Sequence, residues 1–83
     1  MEFLVKEKDY IEVKLEREDL GFAQFVVSKL LEDKSVSFAA TSPDHVLKGN
    51  PIIKVRAKDA KKALASAFDD AAKEISEAKK AMK

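Results

Sequence analysis

The chain has no cysteine and no tryptophan, and among 83 residues it has one histidine, two glycines and two prolines. Each shortage removes a class of function. Without cysteine there is neither a disulfide framework nor a thiolate metal site, and His45 alone cannot build a multi-histidine cluster, so zinc chemistry is not expected. Gly21 and Gly49 stand outside any GxGxxG or GxxxxGK context, so no glycine-rich loop is available to cradle phosphate. No serine sits in a nucleophile elbow. Asp44 and His45 could suggest a base with its orienting carboxylate, but adjacent loop residues rarely point at each other. Charge of one sign is also missing. Sixteen basic residues against fifteen acidic leave a net charge of +1, too little to steer the chain toward a phosphate backbone, and direct nucleic-acid binding is not expected. No apolar run approaches the roughly 20 residues of a membrane span, and MEFLVKEKDY lacks a basic region followed by a long apolar core. The expectation is a non-catalytic chain of the cytoplasm, away from membranes, with no metal and no cofactor.

What the chain does have is charge, 37% of its residues, and clear periodicity. Residues 1–83 are expected to form a single domain. A domain of that size buries only about 60% of the surface its unfolded chain exposes, so help from a partner would be unsurprising. Ile11, Val13 and Leu15 alternate with Glu12, Lys14 and Glu16, which predicts a strand pairing with Met1 to Lys6 around Glu7-Lys8-Asp9. Val36, Phe38 and Ala40 alternate with Ser37, Ala39 and Thr41 in a third strand. The segment from Pro43 to Pro51 breaks the ladder, and a fourth strand runs from Ile52 to Ala57 with Ile53, Val55 and Ala57 on one side.

Two helices complete the pattern. Asp19 is the expected N-cap of the first. Wound at about 100° per residue, Leu20, Ala23, Val27, Leu30 and Leu31 gather on one arc, read as core, while Phe22, Phe25 and Val26 fall on the adjoining side. A helix apolar over that much of its circumference wants two neighbours. From Asp59 onward there is no Gly or Pro, and Leu64, Phe68, Ala71, Ile75, Ala78 and Met82 recur at spacings of four and three. One helix of about 24 residues, near 36 Å, is expected. The order ββαββα implies an α+β fold, a two-layer sandwich with a four-stranded antiparallel sheet and two helices on one face. Four strands span under roughly 20 Å, so the long C-terminal helix should overhang the sheet. An exposed seam beside Phe22 and Phe25 would then form a composite apolar surface suited to a partner.

Several stretches resemble the family of the small α-like subunit of archaeal RNA polymerase, subunit L. Glu18-Asp19 stands where that family has an acidic pair before its first helix. Val36-Ser37-Phe38-Ala39 matches a strand of the type Val-x-Phe-Ala, and His45-Val46-Leu47 falls where a His-Pro-Leu loop is usual. An alanine- and charge-rich C-terminal helix closes both. Leu20-Gly21-Phe22-Ala23-Gln24-Phe25 departs from the family's His-Thr-Leu-Gly-Asn-Leu and matches it by type only, which bears on contacts to the large subunits rather than on dimer packing.

The resemblance implies a subunit without catalysis of its own. It would pair through its two helices with the larger α-like partner of that polymerase, designated D, as a platform for the catalytic subunits. The interface residues it implies are Phe22, Phe25, Val26 and Lys29 on the first helix and Ile75, Ala78 and Met82 on the second. Without that partner the same patch is expected to self-associate into a homodimer. The reading from another class is a free-standing α+β interaction or ligand-binding module that dimerises and never meets a polymerase. A retained metabolite in native mass spectrometry would favour it.

Overall fold

Ile11 and Val13 alternate with charged neighbours, and that alternation turns one face of a short hairpin inward while its other face stays wet. In the computed structural model, which describes residues 2–16, 19–43 and 49–82, β1 (Glu2–Lys6) and β2 (Tyr10–Lys14) pair antiparallel. Helix α1 (Leu20–Glu32) follows, then β3 (Val36–Pro43), β4 (Pro51–Ala57) and α2 (Ala60–Ala81). The sheet order is β1-β2-β4-β3, antiparallel throughout. Both helices pack on one face, α1 over β3 and β4, α2 over β4 and β2. The ββαββα order and the two-layer α+β architecture are those expected. The loop residues Asp44 to Lys48, with the His45-Val46-Leu47 match, lie outside the described residues, as do Arg17 and Glu18.

The core forms where the inward residues of β2 and β4 meet one stripe of each helix. Ile11, Val13, Ile53 and Val55 lie under Ala23, Val26 and Leu30 of α1 and Ala60, Leu64, Ala67 and Ala71 of α2. The alanines let α2 sit close to the sheet. The opposite sheet face carries polar contacts: the Tyr10 hydroxyl donates to Glu12 at 2.6 Å, Arg56 stacks 4.8 Å from the Tyr10 ring centre, and Lys14 meets Glu2 at 3.2 Å. At the end of the β3–β4 connection Gly49 adopts φ 100°, a left-handed conformation that glycine takes at no steric cost.

Two sequence expectations are corrected. In α1 the buried stripe is Ala23, Val26 and Leu30, whereas Leu20 is 45% and Leu31 64% exposed. The helix is rolled by roughly 60° from the expected arc, because the flank bearing Phe22 and Phe25 faces α2. In β3 the register shifts between Val36 and Phe38. That extra residue carries Phe38 to the outer face, 47% exposed, and leaves Val36 and Ala39 to pack against the core.

Candidate docking surface

A carboxylate caps one helix but not the other, and the difference sets how firmly each begins. Asp59 accepts the Lys62 amide at 3.1 Å, whereas Asp19 occupies the N-cap of α1 with no side-chain hydrogen bond. Past its start α2 runs 22 residues, about 33 Å at 1.5 Å per residue. Its buried residues end at Ala71. From Ala72 to Met82 only Ile75 is even half-buried, and Met82 is 85% exposed. The last turns of the seam therefore leave the sheet behind.

Where the helices do meet, they are joined by one aromatic and one ionic contact. Phe22 packs on Phe68 with ring centres 5.6 Å apart and planes inclined at 36°. Lys29 reaches across to Glu74 at 2.6 Å, lies 3.6 Å from Glu32, and sits 5.2 Å from the centre of the Phe25 ring. The Glu74 hydrogen bond is the main reason the Lys29 ammonium titrates above its ordinary value. Lys29, Glu32, Asp70, Lys73, Glu74 and Glu77 line a shallow charged groove between the helices.

The seven residues expected at an interface thus divide into three groups. Val26 is withdrawn from the set, because it is fully buried in its own chain's core and has no surface left to lose. Phe22, Phe25 and Ile75 are half-buried, with Phe22 partly covered by Phe68, and Lys29 is engaged with Glu74. Ala78 and Met82 are uncovered. Sequence reasoning missed Phe68 and Glu74 as the partners of Phe22 and Lys29. The seam spacing pointed to Phe68, but nothing in the sequence tied Lys29 to one of the acidic residues of α2. Among the described residues no cluster of His, Cys, Asp or Glu could hold a metal, and no helix is long and apolar enough to cross a membrane.

A two-layer sandwich with paired helices on one face and an overhanging last helix leaves apolar surface beyond its own core, and comparison gives the chain a family. Residues 10–81 match the model of the RNA polymerase Rpb3/Rpb11 dimerisation domain, and the chain belongs to that family. Within it the chain is like archaeal subunit L. Its structure is similar to that of DNA-directed RNA polymerase subunit L from Thermoplasma acidophilum, with 26% sequence identity and a TM-score of 0.77, over 96% of this chain and 81% of that one. Comparison with curated proteins gives no match.

Proposed function

We propose that the chain is a non-catalytic assembly subunit of a multisubunit DNA-directed RNA polymerase in the cytoplasm. It heterodimerises with the larger α-like partner, D, and the pair is the platform on which the catalytic subunits assemble. Family membership supports an assembly role. The observation that carries the docking surface is the projecting end of α2, where Ile75, Ala78 and Met82 continue an apolar seam beyond the chain's own core. Phe22 and Phe25 extend that surface onto α1.

Co-expression with the larger α-like partner, followed by size-exclusion chromatography, tests this reading. The wild type should elute as a one-to-one complex. Ala78→Asp and Met82→Asp alter exposed residues, so each should cost the isolated chain no more than about 1–2 kcal/mol, through helix propensity and the negative end of the dipole, yet lose the complex, since burying an unpaired carboxylate costs several kcal/mol more. Complexes of undiminished strength with both variants would refute the surface.

A further inference from the structure

We infer that the free edge of β3 is a second interaction surface, and that its occupant is β3 of another copy of this chain, paired antiparallel about a two-fold axis at Ala40. The surface is distinct from the helix seam, and the inference does not depend on the polymerase reading.

The backbone supplies the first part of the argument. The Ala57 amide donates to the Asp9 carbonyl and the Pro51 carbonyl accepts from Leu15, so the odd-numbered residues of β4 direct their backbone groups toward β2. Ile52, Lys54 and Arg56 therefore turn theirs toward β3, where they stand opposite Ser42, Ala40 and Phe38. Ala39 and Thr41 are left presenting amide and carbonyl to the free side. An axis at Ala40 sets Ala39 against Thr41 of the second copy, and Thr41 against its Ala39. Both are hydrogen-bonded pairs, while the two Ala40 residues form the closer, non-bonded pair between them.

Charge makes this edge unusual. Edge strands are ordinarily defended by charged residues, and β1, the other edge, carries Glu2 and Lys6. β3 is the longest strand, eight residues, and VSFAATSP has no charged residue in a chain that is 37% charged. A two-fold axis sets like residues near like, so a charged edge would repel its own copy. This one does not.

The layer above fits as well. The α1 flank turned away from α2 carries Leu20, Val27 and Leu31, and Leu20 lines an apolar hollow with Thr41, Ser42 and Pro43. Each α1 covers β3 and β4, so joining two β3 edges puts the two α1 axes two strand spacings apart, roughly 9.6 Å. That lies within the 8–10 Å at which helices pack. Along the helix, Leu20 and Leu31 are separated by about 16 Å, the length of about five strand residues, and their midpoint falls over Ala39 and Ala40. Leu20 therefore meets Leu31 of the second copy, and both exposed leucines of α1 are covered in one eight-stranded sheet.

Self-association is thereby assigned to the strand edge instead of the helix patch expected from sequence. Because the chain has no cysteine, Ala40→Cys reports on the axis cleanly. Mild oxidation should convert it to a covalent dimer, whereas Val5→Cys on β1 should remain single. In sedimentation equilibrium the wild type should dimerise as concentration rises toward about 100 μM. Leu20→Glu or Leu31→Lys, at exposed positions, should each weaken it about tenfold or more, roughly 1.4 kcal/mol. The double variant should recover association, because each new carboxylate then faces a new ammonium across the axis. Met82→Asp should leave the homodimer intact while losing the α-like partner. A wild type that stays monomeric, cross-linking no faster at Ala40→Cys than at Val5→Cys, or a dimer dissolved by Met82→Asp and not by Leu31→Lys would overturn the inference.

Discussion

Lys29 carries the ionic part of the contact between the helices in one ammonium, and its titration has a definite direction. Its hydrogen bond to Glu74 raises its pKa in the folded chain, so what it contributes is fully present below the unfolded-state value and is lost as pH rises through the folded one. Tyr10, raised mainly by its hydrogen bond to Glu12, acts with the same sign in the same alkaline window. Stability should therefore fall above about pH 10, and Lys29→Met should flatten that fall in thermal melts recorded from pH 8 to 11. Asp33 works at the other end of the scale. The Ser35 amide and hydroxyl both donate to it at 2.8 Å and lower its pKa, so its contribution disappears as pH falls through the carboxylate range. The rolled core stripe makes a second expectation at this scale. Leu30→Ala should cost about 2–5 kcal/mol and Leu31→Ala less than about 0.5 in urea unfolding of dilute protein. Equal costs would contradict the placement of Leu30 inside and Leu31 outside.

At the scale of elements, α2 starts on a made cap and α1 on an unmade one. Asp59→Ala should destabilise by about 0.5–2 kcal/mol, whereas Asp19→Ala should lose only its charge interaction with the helix dipole, about 0.3–1 kcal/mol, in the same unfolding measurement. Both helices were legible from the sequence because periodicity and the absence of Gly and Pro after Asp59 act locally. Strand β4 was legible for the same reason, its Ile53, Val55 and Ala57 all facing the core. The roll of α1 was not. Apolar residues occupy so much of its circumference that spacing alone admits more than one buried stripe, and the choice was made by Phe68 and Glu74 from a helix more than forty residues on. The bulge in β3 escaped because Ser37 can continue an alternating pattern as readily as interrupt it; pairing with β4, not composition, placed Phe38 outside.

The whole molecule is a thin two-layer body, 40 × 31 × 15 Å, with one helix longer than its sheet is wide. Four strands at about 4.8 Å cannot cover a helix of about 33 Å, so the overhang was readable from element lengths before any contact was known. Of the residues expected at the surface, Ala78 and Met82 are open, Phe25 and Ile75 half so, Phe22 and Lys29 are engaged with Phe68 and Glu74, and Val26 lies in the chain's own interior. The uncharged edge of β3 drew no notice in the sequence, because which strands lie at the edges is a property of the sheet order β1-β2-β4-β3. The central claim, that the projecting end of α2 docks on the larger α-like partner, is met most directly by amide hydrogen exchange on residues 75–82 with and without that partner. With only Ile75 among them half-buried, these amides should exchange fast in the isolated chain and slow by about tenfold or more in the complex, an opening free energy raised by roughly 1.4 kcal/mol. Unchanged exchange there, with protection appearing only elsewhere in the chain, would contradict it.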